Sequence, residues 1–316
     1  MGEIALGLAS SHAFAVMNPG EWDNFRLRNR RGYERRYGTL PPENPRIPDE
    51  TDAVVGTRFA DVRAAFTRLR MLIEEARPDA MIFVADDQDE NFTTTIPLLA
   101  VYTGERFRDG KAEQDSTDRR ALPALADAIL ATCVRSDIEM TRIVAFPDDR
   151  LIAHAFGPVL RVVDPRARVP VVPIFVNAIH EPSPSPSRCY RFGQAIREAV
   201  AGCSQVGRVV IYASGGLSHF TAGYPWPQYG GPFGHGDIDE DFDRDLLAAL
   251  DAGRGSDLAR LSSPDLLEHG EIELRSWIVA LGAIGDVKPE LLLYCPFYRA
   301  LMGMGVAAWS NKTGME

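Results

Sequence analysis

Four short apolar runs in this chain stop abruptly in polar or glycine-rich clusters. Ile4 to Leu8 runs into Ser10-Ser11-His12, and Met81 to Val84 into Asp86-Asp87-Gln88. Val171 to Val176 runs into Asn177, and Val209 to Ala213 into Ser214-Gly215-Gly216-Leu217-Ser218-His219. Apolar runs of this length without alternation suit strands buried on both faces, which need helices above and below them. The intervening sequence supplies those helices. Thr51 or Asp52 can cap one whose apolar positions Val55, Phe59, Val62, Phe66, Leu69 and Ile73 recur at three- and four-residue steps until Pro78. Further helices are expected near 121–135, 187–201, 238–251 and 271–283, and further strands at 143–146, 291–294 and 303–309. Strands alternating with helices predict an α/β fold, and open α/β sheets bind ligands at the carboxyl ends of their strands. The polar clusters at the run ends are therefore the first place to look for chemistry.

Two segments break the alternation. Residues 17–50 crowd Arg26, Arg28, Arg30, Arg31, Arg35 and Arg36 beside Trp22, Tyr33 and Tyr37, then continue through Pro41, Pro42, Pro45 and Pro48; this stretch reads as irregular or briefly helical. Residues 220–236 form a loop rich in aromatic residues, Gly and Pro. Composition narrows the rest. A length of 316 residues suits one large α/β domain or two modest ones. With 34 basic against 44 acidic residues the formal charge is -10, the wrong sign for a protein that neutralises phosphates, so no nucleic-acid partner is expected. No apolar run reaches the roughly 18 residues of a membrane span. The amino terminus lacks the basic segment of a signal peptide. Cys133, Cys189, Cys203 and Cys295 show no C-x-x-C spacing, which predicts reduced, mostly buried thiols in a cytoplasmic protein.

Three of the six histidines, His12, His154 and His219, stand beside expected strand ends. Each can be a structural residue or a ligand. Glu273 shares a helical segment with Ile272, Trp277 and Leu281, and is either a solvated helix acid or one turned inward toward a cation; periodicity alone favours the first. The run Asp86-Asp87-Gln88-Asp89-Glu90 is a polar site or a solvated loop.

In their order along the chain, Ser11-His12, Asp87-Gln88-x-x-x-Phe92, Asn177 with Pro182, Pro184, Arg188-Cys189-Tyr190 and Gly193-Gln194-Ala195-Ile196-Arg197, Gly215-Gly216-Leu217-Ser218-His219, Glu273-x-x-x-Trp277 with Gly282-Ala283, and Gly303-x-Gly305 to Trp309 resemble the class III extradiol ring-cleavage dioxygenases. The likeness is to the catalytic β-subunit type of protocatechuate 4,5-dioxygenase and spans nearly the whole chain. It implies a single catalytic domain over residues 1–316 with a central mixed sheet flanked by helices on both faces. It also implies a non-haem Fe(II) centre and cleavage of an aromatic ring beside, not between, its hydroxyls by O2. His12 matches the first metal-binding histidine, Glu273 the metal-binding carboxylate and His219 the acid–base histidine. His154 matches a second active-site histidine, with Ala153 where an acid commonly precedes it.

Gln88 departs from the pattern, because the better-known members carry a second ligand histidine there. Either Gln88 ligates directly, or Asp86 or Asp87 replaces it, or the site holds metal poorly. Gln is neutral like imidazole, so Fe(II) with one carboxylate would keep a net charge of +1. An amide oxygen is nevertheless a weaker and harder donor, which favours oxygen-loving divalent ions by comparison. Substrate contacts are expected from Phe14, Phe92, Asn177, Ser218 and Tyr224, with Trp226 and the arginines of 26–36 as further candidates; the same aromatics can equally be core and the arginines a solvated face. Relatives use a lid subunit or a fused lid domain, for which this chain has no room, so the 17–50 segment or the 220–236 loop would cover the site. A catechol or gallate-type acid such as 3-O-methylgallate, with O2, is the implied substrate pair. A homo-oligomer, in the simplest case a dimer, and a small lid subunit are the implied partners. A non-catalytic partner subunit and a metal-dependent hydrolase on the same fold are the alternatives.

Overall fold

The computed structural model describes residues 1–13, 17–110 and 113–310. Among these, eight strands form one mixed sheet in the order β6-β3-β7-β2-β8-β1-β10-β9. They are β1 (Glu3–Ser10), β2 (Ala80–Ala85), β3 (Leu99–Tyr102), β6 (Thr141–Ile143), β7 (Val171–Val176), β8 (Arg208–Ser214), β9 (Leu291–Phe297) and β10 (Met302–Ser310), while β4 (Arg106–Asp109) and β5 (Thr117–Arg120) make a separate hairpin. The four central strands, β7, β2, β8 and β1, run parallel; β3 and β10 flank them antiparallel. These four are the apolar runs that end in polar clusters.

The pleat sorts each central strand between two cores. In β2, Ala80, Ile82 and Val84 face one layer and Met81, Phe83 and Ala85 the other, and all six are fully buried. One face is covered by α3 (Pro123–Arg135), α5 (Pro186–Gly202), α6 (Glu240–Asp251), the short α7 (Ser263–Glu268) and α8 (Leu274–Ile284), the other by α2 (Asp52–Ala76) and the short α4 (Gly157–Val163). This is the α/β architecture expected, with helices on both faces. The four thiols are free and buried. Among the described residues no helix is long and apolar enough to cross a membrane.

Helices α5 and α8 cross at backbone contact. A Cβ at Gly193 would fall on the carbonyl oxygen of Val279, and one at Gly282 on that of Tyr190. Gly193→Ala is therefore expected to force the crossing open and cost about 1–3 kcal/mol. Urea unfolding reads this directly, and a variant as stable as the parent would show that the crossing can open freely.

Two expectations are corrected. Within 17–50, read as irregular or briefly helical, the helix is not brief: 16 residues form α1 (Trp22–Tyr37), ended by Gly38 in the left-handed conformation. Trp22 anchors it, fully buried against Phe59 and Phe297. The strand expected at 143–146 ends at Ile143 instead. Phe146 leaves the sheet to stack on Tyr102 and contact Phe175, and Pro147 opens a turn. His154 consequently follows a loop before α4, not a strand end.

Candidate active site

A pocket of about 480 Å³ opens at the carboxyl ends of the parallel strands, and His12, Gln88, His154, His219 and Glu273 all line it. Five separate segments supply these side chains. His12 follows β1 by two residues. Gln88 follows β2, in a turn where both Gln88 (φ 52°) and Asp89 (φ 62°) are left-handed. Two consecutive non-glycine residues in that region cost on the order of 1–3 kcal/mol each and persist only where the surroundings impose them. Asp87 does so: its carboxylate accepts from the backbone N–H of Asn91 (3.0 Å) and Phe92 (2.8 Å). That turn aims the Gln88 amide at Glu273, to which it donates a hydrogen bond.

Glu273 sits at the amino terminus of α8 without a side-chain capping hydrogen bond, at a position where the helix dipole favours a carboxylate. Trp277 Nε1 donates to the Gly215 carbonyl (2.8 Å) and Gly216 N–H donates to Glu273 Oε2 (3.0 Å), which tie the helix start to the β8 loop. The Glu273 carboxylate is buried, 3.9 Å from His12 Nδ1 and 3.9 Å from His219 Nε2. Burial pushes its carboxyl up, but His12, His219 and the Gly216 N–H outweigh that and hold it below the usual range.

The three imidazoles differ in state. Burial lowers His12 to about 4, so its ring is neutral, and its buried Nδ1 has no hydrogen-bond partner. His219 Nδ1 lies 2.8 Å from the Leu217 carbonyl, which makes Nδ1 the protonated nitrogen and leaves Nε2 as the base. His154 packs edge-on to His12 at 5.0 Å, and Glu90 takes both its backbone N–H (2.6 Å) and Nδ1. Burial opposes the charge on His154, yet Glu90 raises its pKa above the ordinary value.

These residues suit a divalent cation. His12 offers a neutral nitrogen with no other partner, Glu273 an ionised carboxylate, and Gln88 an amide whose oxygen and nitrogen ends are distinguished only by hydrogen bonding. Among the described residues no three His, Cys, Asp or Glu side chains gather closely enough to hold a metal, so an amide would have to complete the set. Of the neighbouring acids, Asp87 spends its carboxylate on the turn. Asp86 is buried with Oδ2 unpartnered, and burial, reinforced by Glu273, pushes it up to about 8.

The expected substrate wall is largely elsewhere. Ser218 is buried, donating to Asp243 (2.9 Å) and accepting from Asp239 N–H (2.9 Å). Asn177 closes a turn on the backbone of His180. The Tyr224 hydroxyl donates to the Leu267 carbonyl, and its ring packs among Phe220, Trp226 and Tyr229. Phe92 packs on Phe175 beside a neighbouring crevice. Phe14 lies outside the described residues. Met17, Phe25, Arg28, Thr221 and Met302 line the pocket instead. The spacing Trp22, Arg26, Asn29, Tyr33, Tyr37 followed by Gly38 was the available signal for the helix that brings two of them.

That helix and the 220–236 loop are docked on each other. Asn29 Oδ1 accepts from Ala222 N–H (2.8 Å) and His235 Nε2 (2.7 Å), Arg36 donates to the Ala222 carbonyl (2.9 Å), and Tyr33 contacts Trp226. Burial, with Arg30 nearby, lowers His235 to about 4. Below its unfolded value of 6.5 the unfolded chain binds the proton that the folded chain refuses, so this contribution is complete above pH 6.5 and is lost as pH falls toward 4. Urea midpoints between pH 4.5 and 7 should fall more steeply for the parent than for His235→Gln; parallel slopes would contradict it.

The fold and pocket thus define an α/β protein with a candidate metal centre at the carboxyl ends of its parallel strands. The chain belongs to the family described as the catalytic LigB subunit of aromatic ring-opening dioxygenase, which matches residues 48–304. Gln88, His154, His219 and Glu273 fall inside that span; His12 and α1 precede it. The 2,3-dihydroxyphenylpropionate/2,3-dihydroxicinnamic acid 1,2-dioxygenase of Rhodococcus jostii is 25% identical over 299 residues, covering 79% of this chain and 91% of the relative. The enzyme of the same name from Rhodococcus sp is 26% identical over 293 residues, covering 78% and 89%. The gallate dioxygenase of Pseudomonas putida is 34% identical over 83 residues, covering 25% and 24%.

Proposed function

We propose that this protein is a non-haem Fe(II)-dependent extradiol dioxygenase that opens the ring of a catechol- or gallate-type aromatic acid with O2. The observation that carries this reading is the meeting of His12, Gln88 and Glu273 in one pocket with two further histidines, in a chain of a ring-opening dioxygenase family. Relatives named for 2,3-dihydroxyphenylpropionate and gallate support a single ring with adjacent hydroxyls and a carboxylate. Bound there, Fe(II) would supply Lewis acidity toward the hydroxyls and redox chemistry toward O2.

The chain's own residues do the rest. His12, Glu273 and Gln88 would hold the cation, and a single carboxylate among them would leave it the positive charge that a catecholate needs. His219 presents Nε2 to take a phenolic proton and later return it, while its Nδ1–H stays on the Leu217 carbonyl. His154, fixed through Nδ1 by Glu90, has Nε2 left to hydrogen-bond the substrate. Helix α1 and the 220–236 loop form a covering that limits water without a separate lid subunit. The test is anaerobic reconstitution of the purified chain with Fe(II), then O2 uptake and absorbance of ring-opened product over catechols, gallates and aminophenols. Coupled uptake and product formation are expected. Stoichiometric iron without uptake on any substrate would leave a partner subunit or a non-oxidative enzyme in its place.

A further inference from the structure

The arginines of residues 26–36 divide by what they touch. Arg26 meets Asp23 (3.0 Å) and Arg30 meets Glu43 (3.1 Å) and the Pro41 carbonyl (2.7 Å), while Arg36 holds the Ala222 carbonyl. Those three guanidinium groups are committed to the fold. Arg28 also sits on α1, yet it lines the pocket with His12, Gln88 and Glu273 and makes no hydrogen bond or ion pair with any described residue. It is the one permanent cation among the described lining residues. Glu21, in the turn just before α1 and also at the pocket edge, accepts from the backbone N–H of Asn18 (2.8 Å). Between these polar groups Ala13, Met17, Phe25 and Met302 give the pocket apolar surface suited to a ring.

We propose that Arg28 is the specificity-determining residue that receives the carboxylate of the aromatic substrate, an assignment that rests on the ring-opening reading above. A chain of formal charge -10 repels an anion on approach, so an aromatic acid needs a local reversal of sign. An unpaired guanidinium provides one, and its planar fork matches a carboxylate through two parallel hydrogen bonds where a lysine would offer a point charge. Because Arg28 holds nothing else, it can turn to the ligand without breaking a structural contact. The pocket then discriminates at both ends of the ring: donors at the strand ends select adjacent hydroxyls, and α1 selects the acid.

The test uses Fe(II)-loaded protein and a matched pair of ligands, a catechol carrying a carboxylate and its methyl ester. Arg28→Gln is expected to raise KM for the acid about tenfold to a hundredfold, the range of a lost charged hydrogen-bond pair, with kcat little changed. KM for the ester should stay put. Arg28→Lys should recover part of the loss, and Arg28→Glu should favour a catechol bearing an aminoethyl arm. Unchanged melting temperatures would show that the variants are folded. Anaerobic binding isotherms for the same pair read the assignment without turnover, so a failure of ring cleavage and a failure of Arg28 are separable. Acid and ester binding the parent alike, or losing affinity alike in Arg28→Gln, would overturn it.

Discussion

Glu273→Gln is expected to abolish stoichiometric Fe(II) binding and ring opening together. Residues that only hydrogen-bond a metal ligand are worth about 10–100-fold in affinity or activity, and loss of the one ionised ligand should exceed a hundredfold. The substitution is nearly isosteric, and the new amide oxygen can still accept from Gly216 N–H. Because the surroundings hold the parent's carboxyl below the usual range, its charge stabilises the fold, and the metal-free variant should melt slightly lower than the metal-free parent. Iron content after anaerobic reconstitution, O2 uptake and thermal melting form the measurement. A variant that keeps one iron and its turnover would remove Glu273 from the centre; a variant that loses iron but also melts far lower would point to a role in seating α8 on the β8 loop.

His219→Ala should behave in the opposite way toward metal. Its Nε2 is 3.9 Å from Glu273, and its Nδ1 is held by a backbone carbonyl, so the ring is oriented as a base beside the donors. Positioned acid–base groups contribute about 10²–10⁴-fold, and kcat should fall by that range while most of the iron is retained. Free imidazole should restore part of the rate, because alanine leaves room for it. A fully active variant would refute the role, and a variant that loses its iron would make His219 a ligand instead of a base.

Much of the frame was legible because it depends on local chemistry. The runs at 4–8, 81–84, 171–176 and 209–213 are strands, and the three- and four-residue steps from Val55 to Ile73 are α2, capped by Thr51 through the Val54 N–H. Burial on both faces explains why the central runs carry no alternation. Helix α1 was obscured because its composition is dominated by arginine and its only fully buried side chain is Trp22; what holds it is contact with residues near 59, 222–235 and 297, far away in the chain. Strand β6 stopped early for a similar reason, since Phe146 gains more among distant aromatic rings than at an edge of the sheet.

The sequence by itself determined which chemistry the chain can bring: neutral and ionisable donors at 12, 88 and 273, histidines at 154 and 219, and arginines at 26–36, with 12, 88 and 219 placed after strands by the apolar runs that precede them. Only the tertiary structure decided their use. It turned Glu273 inward against the periodicity argument, gave Asp87 to the turn that aims Gln88, sent Ser218, Asn177 and Tyr224 to structural hydrogen bonds, and left Arg28 facing the pocket with nothing to hold. The physical reason is that periodicity fixes which face a residue lies on, whereas the partner that satisfies a polar group is chosen by the folded backbone, from a turn a few residues on for Asp87 and Asn177 or from a distant segment for Ser218 and Tyr224, and it is that partner which separates a scaffold hydrogen bond from a free functional group.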